Sequence, residues 1–421
     1  MSRNSNNSNL NNLTEGPIVK KLIAFFLPIV AGTLVQQLYN TVDAVVVSKF
    51  VGKEALAAVG GSPGVLSNLI ISFCTALSAG CAVVIAQLFG AGEKEKVRTA
   101  VKTSVLFCAV LGLVIGIAVV LISPQLLLWL KTPEDSFDLS LLYQRIYFAG
   151  SFFLLTFNMG AGILRAVGDS RYPFICLFIS CGTNIVLDVL FVAVFGMGVA
   201  GVALATVIAT ALSTVLIFRK LLTVNDCYKL TFRGTPFSGA LLKKMLLIGI
   251  PAGIQNSMYG FSNIILQVSI NKIGTTAAAA WAMSGKVDGV YWAVSDAFGT
   301  SLTTFIGQNY GANHHDRVRL ATRKGLLVFL GITAGIDTFL LSLGRLILRL
   351  MSDDADVREL TWIIMLYCVP AYIIYTVIAV FSSALRGVGD TLVPSVILAV
   401  GICATYLLGD HNGRNSDLLR A

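Results

Sequence analysis

Two stretches of this chain say the same thing: Leu164–Pro173 reads LRAVGDSRYP and Leu385–Pro394 reads LRGVGDTLVP. Each is L-R-small-V-G-D with a proline four residues after the aspartate, and the copies lie 221 residues apart. The same offset joins QLFGAGEKEKVRTA at Gln87 to QNYGANHHDRVRLA at Gln308, while Pro28 maps near Pro251 with a slip of two residues. Agreement of separate stretches on one period identifies an internal duplication.

Composition says what is duplicated. Of 421 residues 56% are hydrophobic and 13% charged, with a mean hydropathy of +0.80; in a soluble domain charged residues alone reach about a quarter. The apolar residues come in continuous runs of roughly 20 to 28, long enough to cross a ~30 Å hydrocarbon core as helices and unlike the short alternating segments of a membrane barrel. The runs predict helices near residues 22–47, 62–89, 101–127, 142–163, 172–195 and 199–220, then 243–270, 277–308, 322–347, 359–385 and 393–408. The expected fold class is therefore an all-α polytopic membrane protein of two six-helix lobes.

The longest polar interval inside the chain divides the lobes: an N-lobe over 18–222, a cytoplasmic linker over 223–242 and a C-lobe over 243–408. Residues 1–17, rich in Asn and Ser, read as a disordered cytoplasmic tail. The repeat calls for a twelfth helix near 420–441, but the chain turns polar over 409–421. The expectation is a C-terminally truncated copy with about 11 membrane helices, a natural eleven-helix protein being the alternative. Lys20, Lys21, Lys94, Lys96, Arg98, Arg219, Lys220, Arg317 and Arg319 fall on one side if the N-terminus is cytoplasmic. That placement follows the positive-inside rule, accounts for the net charge of +9 without nucleic acid, and suits a multi-pass protein of the bacterial cytoplasmic (inner) membrane. No cleavable leader is evident. Cys74, Cys81, Cys108, Cys176, Cys181, Cys368 and Cys403 fall in helices and Cys227 in a loop, with no metal or redox spacing.

Two enzyme-like motifs fail on chemistry. GGSPG, Gly60–Gly64, fits G-x-S-x-G, yet the histidines that could serve as base, His314, His315 and His411, lie in a loop and the tail. GVGD, Gly387–Asp390, resembles an intramembrane aspartyl-protease motif, but each copy follows a helix beside charges and no Tyr-Asp partner occurs. Both copies read instead as a helix C-terminus with a glycine stop. No G-x-x-x-x-G-K-[ST] loop is present, so no direct ATP drive is encoded. The expectation is no enzyme, no cofactor and no structural metal.

Polar groups at membrane depth are then the informative residues, since each is costly unless it faces a cavity or a partner. Gln36, Tyr39 and Asp43 are spaced i, i+3, i+7 on one helical face, and Asn184 lies one turn before Asp188. Carboxylates among amide and hydroxyl oxygens suit a proton or a hard cation such as Na⁺, or a structural hydrogen-bond network. In the second half Lys286, Asp288 and Asp296 have no charged counterpart in the first; Lys286 and Asp288 sit about 200° apart around their helix. With Tyr291 and Trp292 they form a candidate substrate cavity, or else pairs between helices. Asp337, mid-helix, has no assigned role.

With LYNTVDAVVVSKFVG at Leu38, AQLFGAG, GQNYGAN and the doubled LRxVGDxxxP, the chain over about 15–408 resembles the multidrug and toxic compound extrusion (MATE) transporters, bacterial branch similar to DNA-damage-inducible proteins. The resemblance implies two six-helix lobes around a cavity that opens alternately to each side of the membrane. It implies that Asp43 is the first-helix aspartate linked to helix bending, that Pro28 and Gly32 are the bend positions, and that Asn158, Asn184, Asp188 and Thr206 form the polar cluster that binds Na⁺ or relays protons. The acidic residues some members carry on the seventh and tenth helices are absent here. The function implied is secondary antiport: export of amphipathic, often cationic, organic compounds in exchange for H⁺ or Na⁺, by a monomer in the lipid bilayer with small-molecule substrates. The alternatives are a lipid-linked saccharide flippase of the same superfamily and an inactive truncated remnant.

Overall fold

The computed structural model describes residues 12–130 and 132–401. The tail up to residue 11, the end of the last expected helix over 402–408, the segment 409–421, Cys403 and His411 lie outside the described residues. Helices α1 (Ile18–Phe50), α2 (Lys53–Gly60), α3 (Ser62–Gly90), α4 (Lys94–Trp129), α5 (Glu134–Ala149), α6 (Ser151–Ala166), α7 (Arg171–Asp188) and α8 (Gly198–Thr223) make the first half. The second half holds α9 (Gly239–Ile273), α10 (Thr275–Gly311), α11 (His315–Met351), α12 (Ala355–Val388) and α13 (Leu392–Gly401). All regular structure among the described residues is helical, as membrane-embedded backbone requires.

The expected count of about 11 membrane helices reaches past the described residues, since the last of them is expected to run to 408. Seven single helices are long and apolar enough to cross a membrane, and α5 with α6, bent by 47°, would make an eighth. The bend replaces the single helix expected over 142–163: the chain breaks at Gly150, where Val207 Cγ2 of α8 lies 2.5 Å from where a β-carbon would stand. α9 and α10 have 35 and 37 residues, but their polar side chains, Lys286, Asp288 and Asp296 among them, keep them out of the apolar count.

Packing does not respect a cut at residue 222. The first turns of α1, with Ile18, Leu22, Phe25 and Phe26, are buried in the second half's core against Val294, Phe298, Leu302 and Phe305. Phe26 meets Phe298 edge-on at 5.6 Å. Past Pro28, inside the helix, α1 turns to the first half, where Gly32 rests against Phe174 and Leu177 of α7. In the mirror arrangement Met245 and Ile248 of α9 belong to the first half's core. Pro28 lacks a backbone donor at the point where α1 changes partners, whereas α9 keeps to α3 on both sides of Pro251, with Gly249 against Leu77 and Gly253 against Phe73. The segment just before α1 is not loose either: Leu13 is buried, its N–H donates to Gln308 Oε1 at 3.2 Å, and Arg317 donates to the Leu13 and Glu15 carbonyls.

The doubled motif is a doubled helix end. Gly168 and Gly389 take φ of +91° and +97°, left-handed conformations that a β-carbon disfavours. Asp169 N–H and Asp390 N–H return to the carbonyls of Leu164 and Leu385, closing the helix ends. Each aspartate then accepts from the first turn of the next helix, Asp169 Oδ1 from Tyr172 N–H at 3.0 Å and Asp390 Oδ1 from Val393 N–H at 3.2 Å. The two glutamines of the second repeated stretch reach across: Gln87 donates to the Gly387 carbonyl at 2.9 Å and Gln308 to the Ala166 carbonyl at 2.7 Å. Donors and acceptors are each 221 residues apart, so the bonds are one contact made twice. Between them α3 and α10 cross so closely that a β-carbon on Gly90 would stand 1.9 Å from the Gln308 carbonyl oxygen, and one on Gly311 1.9 Å from that of Gln87.

Candidate functional site

A cavity of about 700 Å³ opens in the first half, walled by α1, α2, α3, α5, α6, α7 and α8. From α1 come Pro28, Gly32, Gln36, Tyr39 and Asp43, whose spacing puts them on one helical face. Asn158 and Arg165 come from α6, Asn184 from α7 and Thr206 from α8. Tyr143 and Tyr147 of α5, stacked at 5.7 Å, add an aromatic wall.

Inside this wall three residues form a chain. Oriented with its nitrogen toward the acids, the Asn184 amide donates to Asp188 Oδ2 at 3.1 Å and to Asp43 Oδ1 at 3.0 Å. The two carboxyls also lie within hydrogen-bonding reach of one another. Asp43, Asn184 and Asp188 are all buried, Asp188 fully, and its Oδ1 has no partner among the described residues. Tyr39 neighbours Asp43 and donates to Thr206 Oγ1 at 3.5 Å; Thr206 in turn donates to the Val202 carbonyl at 3.0 Å. Local structure favours the arrangement: Asp188 ends α7 at a π-helical turn, Val189–Val194, an irregularity that re-aims side chains at the helix end.

Of the residues singled out from sequence, Asp43, Asn184 and Asp188 are brought into contact, with Tyr39 and Thr206 beside them. Asn158, Gln36, Pro28 and Gly32 line the same cavity. Two buried carboxylates sharing one amide repel each other when both are ionised, so the site has affinity for one positive charge. The Asn184 amide can present its nitrogen to ionised carboxylates or its oxygen to a bound Na⁺, so the geometry suits either cation. Among the described residues no group of three His, Cys, Asp or Glu could hold a metal ion.

The second-half candidates are dispersed instead. Tyr291 is fully buried between helices, stacked on Tyr372 at 4.1 Å and donating to the Tyr372 carbonyl at 3.1 Å, so it is a packing residue and not a cavity wall. Lys286 is exposed on another face. Asp288 accepts from Ser284 at 3.4 Å, while its Oδ1 is unpartnered. Trp292 is 40% exposed and meets Tyr375 edge-on at 4.8 Å. Asp296, with Tyr259 and Tyr375, surrounds Arg386. Asp337, buried with both oxygens unpartnered, lies near Tyr291 and one turn from Thr333, which shares a 2.7 Å hydrogen bond with Thr376. Helical spacing alone could not separate these faces, because α10 is polar on several sides. Sequence reasoning missed Tyr143, Tyr147 and the cross-bonding role of Gln87 and Gln308; the glutamines had a signal, their place in the repeat, and the tyrosines had none.

Comparison with known proteins identifies the family and the fold. The MatE family profile matches residues 28–190 and 251–409. A probable multidrug resistance protein of Bacillus subtilis, YoeA, is 27% identical over 385 residues, covering 90% of this chain and 83% of its own. One of Thermotoga maritima, NorM, is 26% identical over 408 residues, covering 93% and 84%. Among solved structures, an outward-facing multidrug resistance MATE transporter superposes with a TM-score of 0.86 at 24% identity, over 92% of this chain and 86% of the other.

Proposed function

This chain belongs to the MatE family of multidrug efflux transporters, and from that premise we propose that it is a secondary antiporter that exports amphipathic organic compounds, cations among them, in exchange for H⁺ or Na⁺. The observation that carries the reading is the Asp43–Asn184–Asp188 chain on the wall of the cavity.

The mechanism follows from charge and from where α1 is held. With both carboxylates ionised, repulsion opposes close contact between α1 and α7; a bound proton or Na⁺ removes it. The first turns of α1 are anchored in the second half's core, whereas Asp43 lies past Pro28 against the first half. Drawing Asp43 toward Asp188 therefore flexes α1 at Pro28, where a backbone hydrogen bond is already missing, and narrows the cavity from which substrate leaves. Return of the cation inward supplies the energy, about 2.3 kcal/mol per charge per 100 mV of membrane potential. We assign the N-terminus to the cytoplasm, the chain to the bacterial inner membrane as a monomer, and the lobes to 18–222 and 243–408 joined by 223–242; the basic residues of the loops and the paired repeats support these assignments.

Ethidium efflux from energised right-side-out vesicles tests the reading. Wild-type protein should extrude ethidium when a proton or sodium gradient is imposed, and Asp43→Asn and Asp188→Asn should each stop it. Efflux by both variants at the wild-type rate would overturn the assignment of the coupling site; no gradient-dependent efflux by well-expressed wild-type protein would overturn antiport.

A further inference from the structure

Each copy of the LRxVGD motif places an arginine in the last turn of a helix, Arg165 in α6 and Arg386 in α12. Their surroundings differ. Arg386 has Asp296, Tyr259 and Tyr375 as electrostatic neighbours. Arg165 lines the first-half cavity and is partly buried, yet among the described residues it makes no ion pair or hydrogen bond, and no charged group neighbours it. The position equivalent to Asp296 in the repeat is Thr75, which lines that cavity and brings no charge. Nor do Asp43 and Asp188 serve as its counter-ion. Along α7 the cavity runs from Ser170 to Asn184, on the order of 20 Å at 1.5 Å per residue, farther than an arginine side chain reaches. Arg165 and Ser170 therefore mark one end of the cavity and the carboxylates the other. At the arginine's end α7 begins, its first turn already capped by Asp169 Oδ1, which accepts from Tyr172 N–H, so the donors left for a solute there are those of the arginine.

We propose that Arg165 is a specificity-determining residue of this cavity, the group that recognises a carboxylate on an amphipathic substrate. The inference rests on the antiporter reading for its biological role, and on the unpaired guanidinium for its chemistry. A guanidinium presents five donors in a planar fork and holds a carboxylate through two parallel hydrogen bonds, which an ammonium group cannot copy. In a cavity of low dielectric the missing counter-ion is costly, and a substrate that supplies it gains what the fold withholds. In the second half the equivalent Arg386 has Asp296 as an acidic electrostatic neighbour.

Fluorescence anisotropy with purified protein in nanodiscs tests the proposal, using a zwitterionic rhodamine with a free benzoate and its methyl ester. Wild-type protein should bind both. Arg165→Gln should weaken binding of the benzoate tenfold or more and leave the ester within about twofold, which also serves as the control for folding; Arg165→Lys should fall between. If Arg165→Gln does not yield folded protein, Arg165→Lys decides, since loss of a bidentate contact should weaken the benzoate and not the ester. Equal effects on the two dyes, or none, would overturn the anion site while leaving antiport standing. Failure of wild-type protein to bind the benzoate while it binds the ester would do the same; failure to bind or export either dye, or ethidium, would count against both readings.

Discussion

The two halves of this protein share a backbone device and differ in what they do with charge. Both end a helix with the same LRxVGD turn and both extend a glutamine to the other half's turn. Yet the first half keeps two acids on one amide and an arginine without a counter-ion, while the second surrounds its arginine with an acid and two tyrosines and scatters its other acids among packed helices. Duplication supplied two equal scaffolds. The polar side chains made one of them electrically unfinished, and an unfinished site is one that a solute can complete.

The comparison can be broken most decisively at the acids. Asp43→Asn should reduce gradient-driven efflux by a hundredfold or more, whereas Asp288→Asn should leave it within about twofold; equal losses measured in vesicles would erase the difference between the halves. Next come the glycines of the crossing. Gly90→Ala and Gly311→Ala each place a β-carbon against a carbonyl oxygen 1.9 Å away, so each should destabilise the protein by about 3 kcal/mol or more, read as a lower midpoint of thermal unfolding in detergent. Because the contact is made twice, the two variants should behave alike; a much milder effect of one would show that the crossing is not symmetric in solution.

The glutamines sharpen the same point on a smaller scale. Gln308 is fully buried, donates to Ala166 and accepts from Leu13, whereas Gln87 is only partly buried and donates to Gly387. Gln308→Ala should therefore cost about 2 kcal/mol and Gln87→Ala about 1 kcal/mol, measured as thermal midpoints of each variant. The smallest effect belongs to Asp296→Asn, below about 1 kcal/mol because that acid is exposed.

Much of the fold was legible. Continuous apolar runs gave helix positions because membrane backbone has no other way to satisfy its donors and acceptors, and the predicted glycine stops at Gly168 and Gly389 are present as left-handed residues. The break at Gly150 was not legible, since it depends on how closely α8 presses on that backbone. Around the site, the spacing of Gln36, Tyr39 and Asp43 identified a polar face, and pairing Asn184 with Asp188 identified another. That those two faces meet was outside the reach of periodicity. In the second half the same reasoning grouped Tyr291 with Asp288 and Asp296, but it could not show that Tyr372 and Tyr375 of α12 stand between them, since those contacts come from another helix.

By itself the sequence determined that this is a helical membrane protein built from a repeat, which residues end its helices, and which polar groups lie at a depth where each must have a reason. These follow from local physics: the length of an apolar run, the φ that only glycine takes easily, the cost of charge in hydrocarbon. Only the tertiary structure decided that Asp43 and Asp188 share Asn184, that α1 is anchored in one half and works in the other, and that Arg165 lacks the acid that neighbours Arg386. Each of these is a meeting of residues from different helices, set by packing over the whole bundle.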